Sequence, residues 1–212
     1  MQDAYVGGWA RESHLSAGIL ESLRDLNHQF LDLAAARTGG VARQVSALSA
    51  AQRAAAAGCP YALFDLRFQD DAHWRERLQG LRSWYVADRS AVDDQGDAQG
   101  DDQADSQGDD KTVGFVRLAL FYAWHVASSE GLKAQLLLGM NVGTAVEFRR
   151  ITLNQLPALA AIEAKHLSAR WSGCTTYWNA LTAAARRTDL KALRRVQLQG
   201  LQLAAAARLP GP

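Results

Sequence analysis

LGMNVGTAVEFRRITLNQLPALAAIEAKHLSARW, from Leu138 to Trp171, decides how the chain is read. Its inner pattern already occurs at Leu48–Phe68, as LSAAQRAAAAGCPYALFDLRF. In both, a hydroxyl residue stands three positions before a glutamine: Ser49 and Gln52, then Thr152 and Gln155. This is capping-box spacing, in which the hydroxyl accepts from one unpaired N–H of a helix start and the glutamine reaches back to another. An Ala-rich helix follows in each, to Ala57 and to about Ala164, and each run leaves through an Arg-aromatic pair, Arg67-Phe68 and Arg170-Trp171. A shift of 103 positions superposes Leu48 on Ile151, both cap pairs and both Arg-aromatic pairs. One inserted residue then sets Trp74 on Trp178. Cap, helix and exit at one offset point to an internal duplication.

Outward from these stretches the pattern is helical. In SHLSAGILESLRDLNHQFLDLAAAR the apolar residues Leu15, Ile19, Leu23, Leu26, Phe30 and Leu33 recur at steps of three and four, the mark of an amphipathic helix. Ser13 or Ser16 is placed to cap its start, and Gly39-Gly40 to end it. A short helix is expected from Val41 to Leu48. Gly58 stops the Ala-rich helix and Pro60 prevents its resumption. YALFDLRF suits a strand or an extended linker, and DDAHWRERLQGLRSWYV suits a helix with Trp74, Leu78, Leu81 and Tyr85 on one face. The second half repeats this order. Phe115–Leu138 reads as one long helix closed by Gly139, and Asn141 as the cap of a short helix through Phe148. The expected fold is all-α, as two related helical modules.

Charge divides the chain in the same sense. Residues 1–90 carry ten basic and ten acidic side chains, residues 91–111 carry eight Asp and one Lys, and residues 112–212 carry twelve basic and four acidic side chains. The middle stretch, AVDDQGDAQGDDQADSQGDDK, lacks the apolar surface needed to offset its ordering entropy, so it reads as a disordered acidic linker. The expected domains are therefore an N-terminal helical module (1–90), the linker (91–111) and a basic helical module (112–212). Beside a segment of net charge +8, the eight Asp side chains are expected to compete as a tethered polyanion for its basic surface.

With 48% apolar residues there is enough hydrophobic surface for a core. The longest apolar run, LALFYAWHVA (Leu118–Ala127), is about half of a membrane span. MQDAYVGGWARESH lacks a basic region followed by an apolar one, so no secretory signal is read and a cytoplasmic location is expected. Cys59 and Cys174 form no C-x-x-C pair and are expected to be buried reduced thiols.

The opening stretch resembles the FlhD family of flagellar transcriptional regulators. Leu138-Gly139-Met140-Asn141, Thr152-Leu153-x-Gln155, Leu159-Ala160 and Arg170-Trp171 match that family in register, without a gap. In the first helix, Asp25-Leu26-Asn27 and Phe30-Leu31-x-Leu33-Ala34 look like the family's opening helix. The resemblance implies an all-helical fold, a dimer, and assembly with a partner similar to FlhC on promoter DNA. That family's dimer-linking cysteine falls at Leu167 here, or at Phe64 in the first copy, so no such bridge is implied. The family chain is a single, shorter copy; a fused double copy would make within one polypeptide the pairing that FlhD makes from two.

Direct chemical signals are few. Asp65, Asp70, Asp71 and His73 have metal-compatible spacing, but two aspartates before a helix are what its macrodipole favours, and that is the reading taken. His28 and His125 lie in apolar helices and read as packed or interface residues. No phosphate-cradling loop, nucleophile elbow or metalloprotease helix is present, so neither an enzyme nor a cofactor or metal is expected. LTAAARRTDLKALRRVQLQGLQLAAAARL reads as a C-terminal helix with Arg186, Arg187, Lys191, Arg194 and Arg195 as contacts for DNA or a partner. Leu190, Leu193 and Val196 lie toward another side. Such a stripe contacts phosphates, or snorkels from a buried face. Two functions follow as expectations. One is a transcriptional regulator similar to FlhD, working through protein–protein assembly with DNA contact by this helix. The other is a helical adaptor of a secretion or motility system that binds no DNA.

Overall fold

In the computed structural model the backbone is described for residues 6–90, 106–129 and 131–207, and the side chains for 17–81, 110–129 and 131–207. The first half contains α1 (Val6–Ala35), α2 (Gly40–Ser46), α3 (Ala50–Ala56), β1 (Phe64–Asp65) and α4 (Asp71–Ser90). The second contains α5 (Ser106–Ser129), α6 (Gly131–Leu138), α7 (Val142–Phe148), α8 (Leu156–Glu163), β2 (Ser168–Ala169), α9 (Thr175–Arg187) and α10 (Leu190–Ala206). Two 3-10 turns, Leu153–Gln155 and Ala164–His166, flank α8, and the two short strands pair. The all-α class read from the sequence is the class observed.

Both capping boxes form. Gln52 N–H donates to Ser49 Oγ (3.3 Å) while Ser49 N–H donates to Gln52 Oε1 (2.9 Å). At the second, Thr152 N–H donates to Gln155 Oε1 (3.0 Å), and the chain makes a 3-10 turn before α8 begins. The exits are alike in kind, though the left-handed residue is the arginine in one pair and the aromatic in the other. Arg67 and Trp171 both take the left-handed conformation (φ 58° and 53°), each followed by a turn hydrogen bond, Asp70 N–H to Arg67 O (2.9 Å) and Cys174 N–H to Trp171 O (2.8 Å). Trp74 then hooks its indole N–H onto Arg67 O (3.1 Å), and Trp178 onto Arg170 O (3.0 Å). The two carbonyls that the indoles reach stand 103 residues apart, whereas the two left-handed residues stand 104 apart, one position out of that register.

The units do not divide where the charge pattern does. One comprises Met1–Phe64 with Ala169–Pro212, the other Asp65–Ser168. Each therefore combines the opening helices of one repeat with the closing helix of the other. In the first unit α9 packs on α2 and α3, burying Tyr177, Trp178, Leu181, Ala184 and Ala185. In the second, α4 packs on α7, with Trp74 4.7 Å from Phe148 between ring centroids. Modules at 1–90 and 112–212 are thus not the units observed. The reason lies at the exits, where the left-handed turn redirects the chain: Arg170 N–H donates to Leu63 O (2.9 Å), fastening the second exit onto the first repeat.

The first unit is organised around Asn27, fully buried on α1. Its amide nitrogen donates to the carbonyls of Tyr61 (2.9 Å), Ala57 (3.3 Å) and Cys59 (3.3 Å), and its oxygen accepts from Leu63 N–H (2.8 Å). A single side chain thus satisfies the backbone of an irregular stretch that no helix or strand partner serves.

Several boundaries differ from expectation. α1 begins at Val6, so Ser13 and Ser16 lie inside it. The long helix expected over Phe115–Leu138 is two, α5 and α6. Ser129 Oγ donates back to His125 O (3.0 Å) and Val126 O (3.2 Å), and Arg149 Nε donates to Ala127 O (2.8 Å), so side chains take up carbonyls at the end of α5. Residues 106–111 of the expected disordered linker form the start of α5; its residues 91–105 lie outside the described residues. Asn141 precedes α7 but does not cap it with its side chain, which donates to Gln69 O. Asp71 caps α7 instead, accepting from Thr144 N–H (3.0 Å) and Oγ1 (2.7 Å).

Cys59 is buried, but Cys174 is half-exposed at the start of α9, where the turn after Trp171 keeps it at the surface. Burial pushes the Cys59 thiol up to about 11, so it stays protonated at neutral pH and is a poor nucleophile. Titration of the native chain with an aromatic disulfide reagent at pH 8 should modify one thiol rapidly and the second only on unfolding. Cys174→Ser should abolish the rapid phase; two rapid equivalents in the native protein would contradict this.

Candidate functional site: a basic helix pair and a buried His–Glu cluster

The expected basic C-terminal helix is two helices. Thr188 is left-handed (φ 54°), and its N–H and that of Asp189 close back on Ala185 O (3.1 Å) and Ala184 O (3.3 Å). This is a helix-ending pattern usually served by glycine. Asp189 then starts α10, accepting from Lys191 N–H (3.0 Å) and Ala192 N–H (3.1 Å) through one oxygen. Gln52 ties the end of α9 to the first repeat by donating to Arg186 O (3.1 Å).

Arg186 and Arg187 close α9, and Lys191, Arg194 and Arg195 open α10. All five are exposed, and none forms an ion pair among the described residues. Their placement is uneven in energy. Cations at the end of α9 are favoured by its macrodipole, whereas Lys191 near the start of α10 is disfavoured. The inner face of α10 is Leu193, Val196, Gly200 and Ala204, all buried. Leu190 is not on it: this side chain is 70% exposed, and Leu198 and Leu201 share its outer strip with Arg194. A groove of about 600 Å³ runs between the two helices, with Ala183, Ala184, Arg187, Ala192, Arg195 and Gln199 among its walls.

A second cluster lies in the other unit, where the sequence was read only as a helix start. Asp70 and Asp71 do serve helix starts. Asp70 accepts from His73 N–H (2.9 Å) and pairs with Arg67 (2.5 Å), and these contacts, the backbone one foremost, hold its carboxyl below the usual range. Asp65 accepts from Phe68 N–H (3.3 Å). His73, however, turns away from these carboxylates to Glu163, with Nε2 2.8 Å from Oε2. Arg77, one turn further along α4, places Nε 2.8 Å from Glu163 Oε1. The N–H is poorly aligned for a hydrogen bond there, so the contact is mainly one of charge. Glu163 is fully buried.

His166 completes the group. Its ring centroid is 5.1 Å from that of His73, nearly perpendicular at 79°. Desolvation lowers its pKa, with Glu163 opposing, so the ring is held toward its neutral form. Glu163 and His166 are brought onto one side by the 3-10 turn Ala164–His166, in which side chains three apart eclipse. The spacing Glu-x-x-His was present in the sequence; its partner His73 lies 90 residues earlier and only the fold supplies it. The other histidines do not join: His28 is 3.9 Å from Asp32, and His125 is exposed on α5 rather than packed.

No protein-family profile, curated protein or solved structure matches the chain.

Among the described residues, no helix is long and apolar enough to cross a membrane.

Proposed function

We propose that the chain is a helical regulator of transcription similar to FlhD, which works by assembling with a protein partner and touches DNA through the α9–α10 face. The observation that carries this reading is the set of five exposed cations, Arg186, Arg187, Lys191, Arg194 and Arg195, none of which forms an ion pair among the described residues. Helix stability alone would place carboxylates, not Lys191, at the start of α10. A partner or polyanion that neutralises the cluster offsets that cost. Four or five phosphate contacts would give a log–log salt slope of about −4.

Gel retardation of a mixed-sequence duplex and of promoter fragments, alone and with candidate partners, tests it. Retardation should weaken steeply with salt, and the charge reversal Arg187→Glu/Lys191→Glu/Arg194→Glu should abolish it while circular dichroism stays unchanged. Retardation that survives the triple reversal would reject this face as the contact.

The exposed Leu190, Leu198 and Leu201 favour a second reading, an adaptor that binds protein and not DNA. Apolar side chains interleaved with arginines suit a protein interface better than a phosphate backbone. An adaptor would co-purify with a partner, lose it on Leu198→Asp, and retard no DNA under any salt condition.

A further inference from the structure

From the geometry at the end of α8 we infer a site for one divalent first-row transition ion, ligated by His73, Glu163 and His166. One ligand atom from each lies within 4.8 Å of the others. Two imidazoles and one carboxylate, with a position left for solvent, are a donor set that suits zinc, iron(II) or manganese. Bond lengths near 2.0 Å set the donors about 3.3 Å apart, so His73 Nε2 and Glu163 Oε2, now 2.8 Å apart, must open slightly while His166 closes on them. His166 sits on a 3-10 turn and is only half-buried, so rotation of its ring can supply this closure.

At the 103-residue offset read from the sequence, the equivalent positions carry no charged side chain. The shift of 103 residues sets Pro60 on Glu163 and Leu63 on His166; past the inserted residue, Tyr177 falls on His73 and Leu181 on Arg77. Leu63, Tyr177 and Leu181 are buried in the first unit. The same fold position therefore closes there without a charged group. A wholly buried carboxylate in the second unit is not a demand of the fold, and carboxylates are rarely taken out of water without a purpose that repays the desolvation.

The ion would replace the proton between His73 Nε2 and Glu163 Oε2, leaving Arg77 to hold the other carboxylate oxygen. Arg77 would then orient a ligand without touching the ion. One group opposes binding. Ligation through Nε2 puts the His73 proton on Nδ1, which Arg67 Nη1 faces at 3.3 Å as a donor. Arg67 is substantially exposed and paired with Asp70, so it must turn aside when the ion binds.

The test uses the full chain without a polyhistidine tag, stripped by chelator and titrated with cobalt(II) and then zinc(II). One equivalent of cobalt(II) should bind with visible ligand-field bands, and zinc(II) should bleach them. His166→Ala and His73→Ala, checked for native circular dichroism, should each lose the bands. Arg77→Ala should bind about 10–100-fold more weakly. Arg67→Ala should bind more tightly because it removes the opposing donor. Absence of stoichiometric binding, or bands that persist in both histidine variants, would overturn the site. Weaker binding by Arg67→Ala would overturn ligation through His73 Nε2.

Discussion

Asn27→Ala is expected to destabilise the protein by about 3–5 kcal/mol, because it strands several buried backbone groups at once. The amide nitrogen has two hydrogens for three carbonyls, those of Tyr61, Ala57 and Cys59, so the two longer contacts at 3.3 Å share one donor. The oxygen is the partner of Leu63 N–H at 2.8 Å. Alanine removes all four contacts and leaves a cavity that water reaches poorly, since Tyr61, Ala62, Leu63 and Phe64 are fully buried. Urea unfolding should show a lowered midpoint with an unchanged slope. Asn27→Asp tests the logic differently: it keeps the acceptor for Leu63 and loses the donors, and it should still be clearly destabilised. A loss below about 1 kcal/mol for Asn27→Ala would mean that these carbonyls are hydrated or re-paired.

Asn27 also shows what kind of information the sequence carries. It stands between the apolar residues Leu26 and Phe30 of the first helix, yet nothing around it announces that it will hold a loop more than 30 residues away. Signals confined to a few residues were legible: the Ser49–Gln52 and Thr152–Gln155 boxes, the short α2 and α7, and the stop after α3. Two breaks were not. At Thr188 the left-handed residue is a threonine, so the glycine that marks such an ending is missing, and α9 and α10 read as one helix. Between α5 and α6 the break is made partly by Arg149, which captures the carbonyl of Ala127 from 22 residues away.

The division into units was illegible for a stronger reason. Charge separates residues 1–90 from 112–212, but packing follows apolar faces: α4 packs on α7 of the second half, and α9 on α2 and α3 of the first. Two stretches of similar pattern offer similar partners, and periodicity cannot say which is taken. The His73–Glu163–His166 group inherits that ambiguity. Its local half, Glu163-x-x-His166, is visible as spacing; its other half arrives only because α4 joins the unit that contains α8.

Gly200→Ala should destabilise the chain by about 3 kcal/mol, against the sign of helix propensity. In the interior of α10 alanine is favoured over glycine by about 1 kcal/mol. Here a β-carbon would overlap the phenol of Tyr61, including its hydroxyl and the ring carbon that bears it. Tyr61 cannot swing clear. Its hydroxyl lies 3.1 Å from that of Tyr177 and 3.4 Å from Val196 O, and its ring meets the Trp171 ring edge-on at 5.3 Å. The strain must therefore lift α10 from the rest of the first unit, which would also disturb the face that carries Lys191, Arg194 and Arg195. Tyr61→Leu removes the obstructing ring at its own packing cost. Combined with Gly200→Ala it should be less destabilising than the two effects added, with a coupling of about 1–2 kcal/mol. Strict additivity would place the cause of the glycine outside Tyr61. A stabilised Gly200→Ala would show that α10 has room to move, and the close approach of the two would then play no part in holding the helix.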